Sequence, residues 1–342
     1  MKNLYIGNCS PGTASQLRKD TLREVCAEAE WDVIDTEVPF LAQPRWKQLL
    51  ALHLRMGPAV AAINTAVQED LADATSYDLV WIDKATLLNT KTIDRIRELA
   101  AKLVHYTSEP AFFGNRSKYF EQTIDRYDLL VTSKSYELED YGRYATEEKI
   151  KLVSQAYDAR LHYPRCSFTD KRNEAVFVGE CEPDFAECIE ELIGREINVR
   201  VGGPGWDRFA ERHAENKFLH YEGDSVEPEQ YADLLSHAQI GLGLTTTNFP
   251  EQHAERTFEI PACGTALATP TTPETVRFFS ADSAIYFRNY SDLSDQITEL
   301  LNDPGRLMRL THAGQDKVRD GIFSNTAVIA DVLQTVGVAR RA

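Results

Sequence analysis

Glu251-Gln-His-Ala-Glu-Arg-Thr-Phe-Glu259-Ile-Pro-Ala-Cys-Gly264 is the stretch on which the reading of this chain turns. Two carboxylates, Glu251 and Glu259, stand eight positions apart. An apolar run, 239–244, precedes them, and another, 266–269, follows. The pattern predicts strand, loop, helix, glycine stop, strand. Pro261 keeps the helix short, because proline removes an amide donor and crowds the preceding turn. Gly264 suits the left-handed residue that commonly ends a helix. The loop 245–250 opens onto the helix start, where unpaired backbone N–H groups and the positive dipole end favour phosphate. Glu259 lies further along, where a carboxylate can accept hydrogen bonds from a vicinal diol such as ribose. Arg256 shares its face one turn earlier and either neutralises it or reaches a phosphate. For each residue taken alone, a solvated helix face is the plain alternative.

Outward from this stretch, strands and helices alternate. Residues 175–178 form a strand that ends at Gly179, and a helix follows over 185–193. The strand 197–201 ends at Gly202-Gly-Pro-Gly205-Trp206. Gly203, Gly205 and Trp206 either floor a nucleotide site or make a turn whose tryptophan packs the domain. A short strand at 218–221 and a helix at 231–237 lead back to the central stretch. Beyond it come the segment 273–279, a strand at 285–287, and helices over 292–301 and 306–318. A final apolar-periodic helix spans 324–336, with Ser324 as its N-cap.

The first half repeats this architecture without repeating its residues. A strand over 3–7 ends in Gly7-Asn-Cys-Ser-Pro-Gly12, ahead of a helical pattern carrying Leu17, Leu22 and Val25. The opening unit of a doubly wound α/β domain reads this way. The glycine loop is either a ligand wall or a tight turn, and the spacing of Gly7 and Gly12 is not that of a dinucleotide fingerprint. Further strands fall at 31–36, 79–82, 102–106, 129–132 and 149–153, with a long helical region at 44–74. Ligands of such sheets bind beyond the strand C-terminal ends. Gly7–Gly12, Asp83–Lys84 and His105–Glu109 therefore share one rim, and His105 is alternatively a core histidine.

The chain has 342 residues, 43% of them hydrophobic, enough for two domains with buried cores. Its net charge of −16 excludes a broad electrostatic footprint for nucleic acid or an anionic membrane, though not a local basic site. Six cysteines without a Cys-x-x-Cys pair read as reduced thiols of a cytoplasmic protein. The N-terminus runs straight into a strand, with no signal peptide, and no apolar run reaches the length of a transmembrane segment. There is no His-Glu-x-x-His, no zinc-type cysteine pairing and no Asp-x-Asp, so no metal site is expected.

Glu251-x7-Glu259 followed by Ile-Pro-Ala-Cys-Gly264 resembles the Glu-x7-Glu motif of retaining glycosyltransferases of the GT-B fold. Its wording more closely resembles their spore-maturation (CgeB-like) branch. The resemblance extends to Leu4-Tyr-Ile-Gly-Asn8, Asp78-Leu-Val-Trp-Ile-Asp-Lys84, His105-Tyr-Thr-Ser-Glu-Pro110, Tyr127-Asp-Leu-Leu-Val-Thr-Ser133, Val176-Phe-Val-Gly179 and Tyr231-Ala-Asp-Leu-Leu235. The chain departs from that branch at Glu251, where Asp is frequent, and near Ser108-Glu109, where Asp-Asp is frequent.

The resemblance implies an α/β protein of two doubly wound Rossmann-like domains facing across a cleft. The domains would be 1–155 on the acceptor side and 174–322 on the nucleotide-sugar side, joined by the linker 156–173. A C-terminal helix within 323–342 would cross back to the first domain. The implied activity is metal-independent, retaining transfer of a sugar from a nucleotide-sugar, itself a substrate and not a cofactor, to an unidentified acceptor. Gly179, Gly203, Trp206, Glu251, His253, Arg256 and Glu259 would bind the donor. Gly7, Asn8, Ser10, Asp83, His105 and Glu109 would face the acceptor, and Glu251 and Glu109 would be catalytic. Two other readings stay open: a non-catalytic nucleotide-sugar-binding scaffold in surface or spore polymer assembly, and a nucleotide-sugar epimerase.

Overall fold

The structure, a computed structural model, describes residues 1–338. It divides into two compact units, one of Met1–Ser154 with the chain from Thr326 onward, the other of Gln155–Asn325. Residues 156–173 thus belong to the second unit, and nearly all of the helix Asn325–Val336 to the first. Lys151 binds that helix through Asp331 at 2.9 Å and Thr335 at 2.8 Å. Residues 339–342 of the tail lie outside the described residues.

The first unit is built on six parallel strands: β1 (Lys2–Gly7), β2 (Glu30–Asp35), β3 (Tyr77–Asp83), β4 (Ala100–Thr107), β5 (Leu129–Thr132) and β6 (Ile150–Leu152). Their spatial order is β2-β1-β3-β4-β5-β6. Leu79, Val80, Trp81 and Ile82 are all fully buried. An unbroken apolar run is what a strand needs when helices cover both faces of a parallel sheet. Thr13 and Asn89 cap the helices that follow β1 and β3, each accepting from a backbone N–H three residues on. The long helical region breaks into Arg45–Leu54 and Pro58–Asp70. Arg55 at φ 54° and Gly57 at φ 106° leave helical geometry, and Pro58 opens the next helix, where its missing N–H costs nothing.

The second unit repeats the plan with β7 (Arg172–Val178), β8 (Val199–Gly202), β9 (Leu219–Tyr221), β10 (Ala238–Leu242), β11 (Ala266–Pro270) and β12 (Ile285–Phe287). The order is β12-β11-β10-β7-β8-β9, again all parallel. Ala175 and Phe177 enter one apolar core with Ile189, Leu192 and Trp206, while Val176 enters another with Leu235, Phe258 and Ile260. The two-residue alternation of a strand thus buries both faces of the sheet.

Strand order reverses between β1 and β3 in the first sheet, and between β7 and β10 in the second. Crevices beyond the carboxyl ends at such switch points are where open α/β sheets bind ligands. None of the six cysteines is disulfide-bonded. Among the described residues, no helix is long and apolar enough to cross a membrane.

Candidate functional site

At the switch point of the second sheet the guanidinium of Arg256 joins two strand ends. Its Nε donates to the Val178 carbonyl at 2.9 Å and its Nη1 to the Leu244 carbonyl at 3.3 Å. The group stacks over the Phe177 ring, 5.0 Å from its centroid. A Cβ on Gly179 would lie 2.4 Å from Arg256 Nη2, so glycine is what leaves room for the arginine. Gly203, at φ 116°, approaches as closely from β8, and a Cβ there would meet the Gly179 carbonyl oxygen at 2.4 Å. Trp206 donates its indole N–H to that same oxygen at 2.8 Å and is fully buried against Phe177 and Phe209. The structure therefore gathers Gly179, Gly203, Trp206 and Arg256 around one spot. Within it, Trp206 is a packing residue.

The loop after β10 is held by the helix Pro183–Gly194 and the turn before it. Thr246 donates to Glu182 at 2.7 Å, Asn248 also reaches Glu182, and Thr247 donates to Asp184. This loop, with Glu251, Thr272 and Tyr290, lines a cleft of about 940 Å³.

Glu251 and Glu259 do not share a helix. The helix begins only at Arg256 and ends at Ala262, with Pro261 inside it and Gly264 at φ 69° after it. Residues 251–254 stay irregular because their neighbours pin them. Thr272 donates to the Gln252 carbonyl at 2.8 Å, and Ala254 N–H donates to Thr257 Oγ1 at 3.1 Å. His253 is buried, its Nδ1 meeting Glu274 at 2.5 Å and its Nε2 accepting from Gln155 N–H at 3.1 Å. Both ring nitrogens are used, so His253, expected among the donor-binding residues, has no nitrogen left for a ligand. It is a strut that fixes the loop.

Glu259 turns toward two residues that local sequence patterns do not point to. Tyr231 donates its hydroxyl to Glu259 Oε2 at 2.6 Å. His162 Nε2 lies 3.6 Å from Oε1, beyond hydrogen-bond distance. His162 Nδ1 accepts from Asp158 N–H at 3.2 Å, which leaves the ring proton on Nε2, buried and without a partner. Burial pushes the His162 imidazolium down to about 4. Burial also raises the Glu259 carboxyl above its ordinary range, against the lowering effects of the Tyr231 hydrogen bond and the Arg256 charge. Its side chain keeps 13% exposure, so one oxygen can still meet a ligand.

In the first unit, Asn8, Lys84, Thr107 and Glu109 line a cavity of about 280 Å³ beyond the ends of β1, β3 and β4. Lys84 pairs with Glu109 there. Lys84 and Ala85 have φ values of 61° and 21°, in or near the left-handed region that L-residues rarely adopt. Gly7 backs onto Asp83, whose Cβ would be 3.0 Å from an added Cβ. Asn8 Oδ1 accepts from Ser10 N–H at 2.8 Å, which shapes the loop. Two residues expected on this rim face inward. Asp83, 1% exposed, gives both carboxylate oxygens to Arg18 at 2.7 and 2.8 Å and one of them also to Ser15 at 2.7 Å. His105 is fully buried against Phe120 and Tyr127, and its Nε2 donates to the Lys84 carbonyl at 2.8 Å. Burial pushes it down to about 4, so it is a neutral core histidine that holds the Lys84 turn. Among the described residues, no three His, Cys, Asp or Glu side chains converge as a metal site.

Residues 183–333 match a family model described as glycosyl transferase-like. The segment spans the loop after β10, Glu251, Arg256 and Glu259. No curated protein matches the chain by sequence. Solved structures do match its fold. HepE of Anabaena, in complex with UDP-glucose, is 13% identical over 98% of this chain and 99% of its own, with a TM-score of 0.64. Sucrose-phosphate synthase of Thermosynechococcus elongatus is 13% identical over 98% of each chain, at 0.68. A glycosyltransferase of Rickettsia africae is 12% identical over 100% of this chain and 99% of its own, at 0.69. The architecture is the GT-B glycosyltransferase fold. The family match thus falls mostly on the unit that holds the Arg256 junction.

Proposed function

We propose that this chain transfers a sugar from a nucleotide-sugar to an acceptor hydroxyl, with retention at the anomeric carbon and without a metal ion. The observation that carries the reading is the Arg256 junction at the switch point of the second sheet, inside the glycosyl transferase-like segment. Arg256 Nη2 takes up the diphosphate, as a preorganised donor does for developing charge, beside Gly179 and Gly203, whose own N–H groups are given to the Gly202 and Gly223 carbonyls. Glu259 holds one ribose hydroxyl through Oε1, because Tyr231 occupies Oε2. Glu251, on the cleft wall with residues 245–247, meets the donor sugar.

In the reaction, the bond between the anomeric carbon and the diphosphate oxygen breaks, and its electron pair leaves with the diphosphate. The acceptor oxygen forms the new bond, and its proton passes to the departing phosphate oxygen. No covalent enzyme nucleophile is assigned. The first unit's cavity, with Asn8, Lys84 and Glu109, is assigned to the acceptor.

HepE, which shares the fold, binds UDP and UDP-glucose, so uridine donors are the first to test. A thermal-shift panel of UDP-, GDP-, CDP- and dTDP-sugars reads donor choice. At a hundredfold excess over the dissociation constant, the cognate donor stabilises by about 2.7 kcal/mol. Slow release of free nucleotide from that donor supports transfer, whereas retention of intact donor identifies a binding module. A panel without any shift removes the proposal.

A further inference from the structure

We propose that residues 37–56 of the first unit dock the chain on the headgroup region of an anionic lipid bilayer. This inference stands independently of the donor reading. The segment carries the helices Glu37–Leu41 and Arg45–Leu54. The shorter helix buries none of its residues, and the longer buries only Ala51. Trp46, Leu49 and Leu52 follow one another at three-residue spacing, so they form one ridge. They are 63%, 44% and 47% exposed. Val38, Leu41 and Met56 of the same segment are also exposed, at 65%, 56% and 49%. These six large apolar side chains, exposed within one twenty-residue segment, mark an interaction site.

Charge identifies the partner. Residues 37–56 contain Arg45, Lys47 and Arg55 against the single acid Glu37, within a chain whose net charge is −16. Lys47 lies over the Trp46 ring, 5.6 Å from its centroid, so cation and apolar ridge are adjacent. A short helix with tryptophan and leucine on one face and basic residues beside them lies in a bilayer interface with its apolar side among the acyl chains. Arg45 and Lys47 meet anionic headgroups, tryptophan sits at headgroup depth, and Arg55 is held by the Gly114 carbonyl and Asn115. The acidic remainder of the chain is repelled by the same surface, so attachment is confined to this segment. Ten residues are far too few to span the hydrocarbon, so the helix lies on the membrane.

Co-sedimentation of the full chain with vesicles tests this. The chain is expected to bind vesicles of equal phosphatidylcholine and phosphatidylglycerol at low salt, and not phosphatidylcholine alone. Raising the salt concentration weakens the binding. The variant Trp46→Ser with Leu49→Ser keeps its thermal midpoint, because both residues are exposed, and loses at least tenfold in partitioning. Arg45→Gln or Lys47→Gln each lowers partitioning about fivefold, the equivalent of ~1 kcal/mol per basic residue. Absence of binding to the anionic vesicles overturns the proposal, as does binding that the double variant leaves unchanged. Light scattering covers the competing occupant. A dimer that the double variant converts to monomer, without vesicle binding, makes the patch a self-interface and refutes membrane docking.

Discussion

The Tyr231 hydroxyl donates to Glu259 Oε2 across 2.6 Å, joining the helix Pro228–His237 to the helix Arg256–Ala262. Tyr231→Phe removes the donor and leaves a desolvated carboxylate oxygen unpaired. We expect it to cost about 1.5–3 kcal/mol in chemical denaturation, the range for hydrogen bonds to charged groups. Glu259→Gln keeps an acceptor for Tyr231 and should cost less in stability, while weakening nucleotide binding by a similar 1.5–3 kcal/mol. The same variant has a pH signature. Burial raises the folded carboxyl above its ordinary 4.5. Between 4.5 and the folded value the native state holds more proton, so the carboxyl's contribution is full below 4.5 and lost as pH rises through the folded value. The Gln variant lacks that loss, which parallel denaturation curves will register.

Gly203→Ala is expected to be the more damaging of two glycine changes. Its Cβ would strike backbone, the Gly179 oxygen at 2.4 Å, from a φ of 116° that alanine resists. At Gly179 the Cβ would strike the end of a side chain, Arg256 Nη2. We expect about 1–3 kcal/mol for Gly179→Ala and more for Gly203→Ala. Equal melting temperatures for both variants and the parent would show that the junction is loose.

Two ion pairs in the first unit should differ several-fold in cost. Arg18 and Asp83 are 4% and 0% exposed, so Asp83→Asn leaves a buried guanidinium without its counter-charge. Breaking such a pair costs about 3–5 kcal/mol. Lys84 and Glu109 are 29% and 53% exposed, and Glu109→Gln should cost at most about 1 kcal/mol. Denaturant midpoints of the two variants test the ranking.

Acid should destabilise the protein below about pH 6.5. His105 and His162 are both pushed by burial from the ordinary 6.5 down to about 4. Between those values the unfolded chain binds more protons, so stability is lost as pH falls, by up to about 1.4 kcal/mol per pH unit for each histidine. His105→Gln keeps a donor for the Lys84 carbonyl and should remove one histidine's share of the slope. An unaltered pH profile would contradict the assignment.

Sugar transfer should survive excess EDTA, because the diphosphate is proposed to be met by the Arg256 guanidinium. Full loss on chelation, restored by magnesium or manganese, would replace this mechanism with a metal-assisted one.

The edge strands β2, β6 and β9 are short or mixed and only partly buried, whereas central strands such as β3, β4 and β7 were legible because each carries an apolar run, a local property that burial on both sheet faces demands. The short helix ending at Gly264 was legible for the same reason, through Pro261 and the left-handed glycine. Its start was not. Residues 251–254 are kept out of the helix by Thr272 and by the bonds of His253 to Glu274 and Gln155, none of them sequence neighbours. Likewise, nothing beside Asp83 announces Arg18, and nothing beside Glu259 announces Tyr231 or His162.

By itself, the sequence determined two successive parallel α/β sheets, the stretch that lies at the second switch point, and the absence of any strongly basic character overall. Hydrophobic period and backbone-breaking residues act over a few positions, so they can be read along a line. Tertiary structure alone decided which polar groups remain available. It used up His253, Asp83 and His105 inside the units, left Glu259 one oxygen, and exposed the ridge of Trp46, Leu49 and Leu52. A polar atom's role depends on the partner that folding brings within about 3 Å, and the chain order does not encode that distance locally.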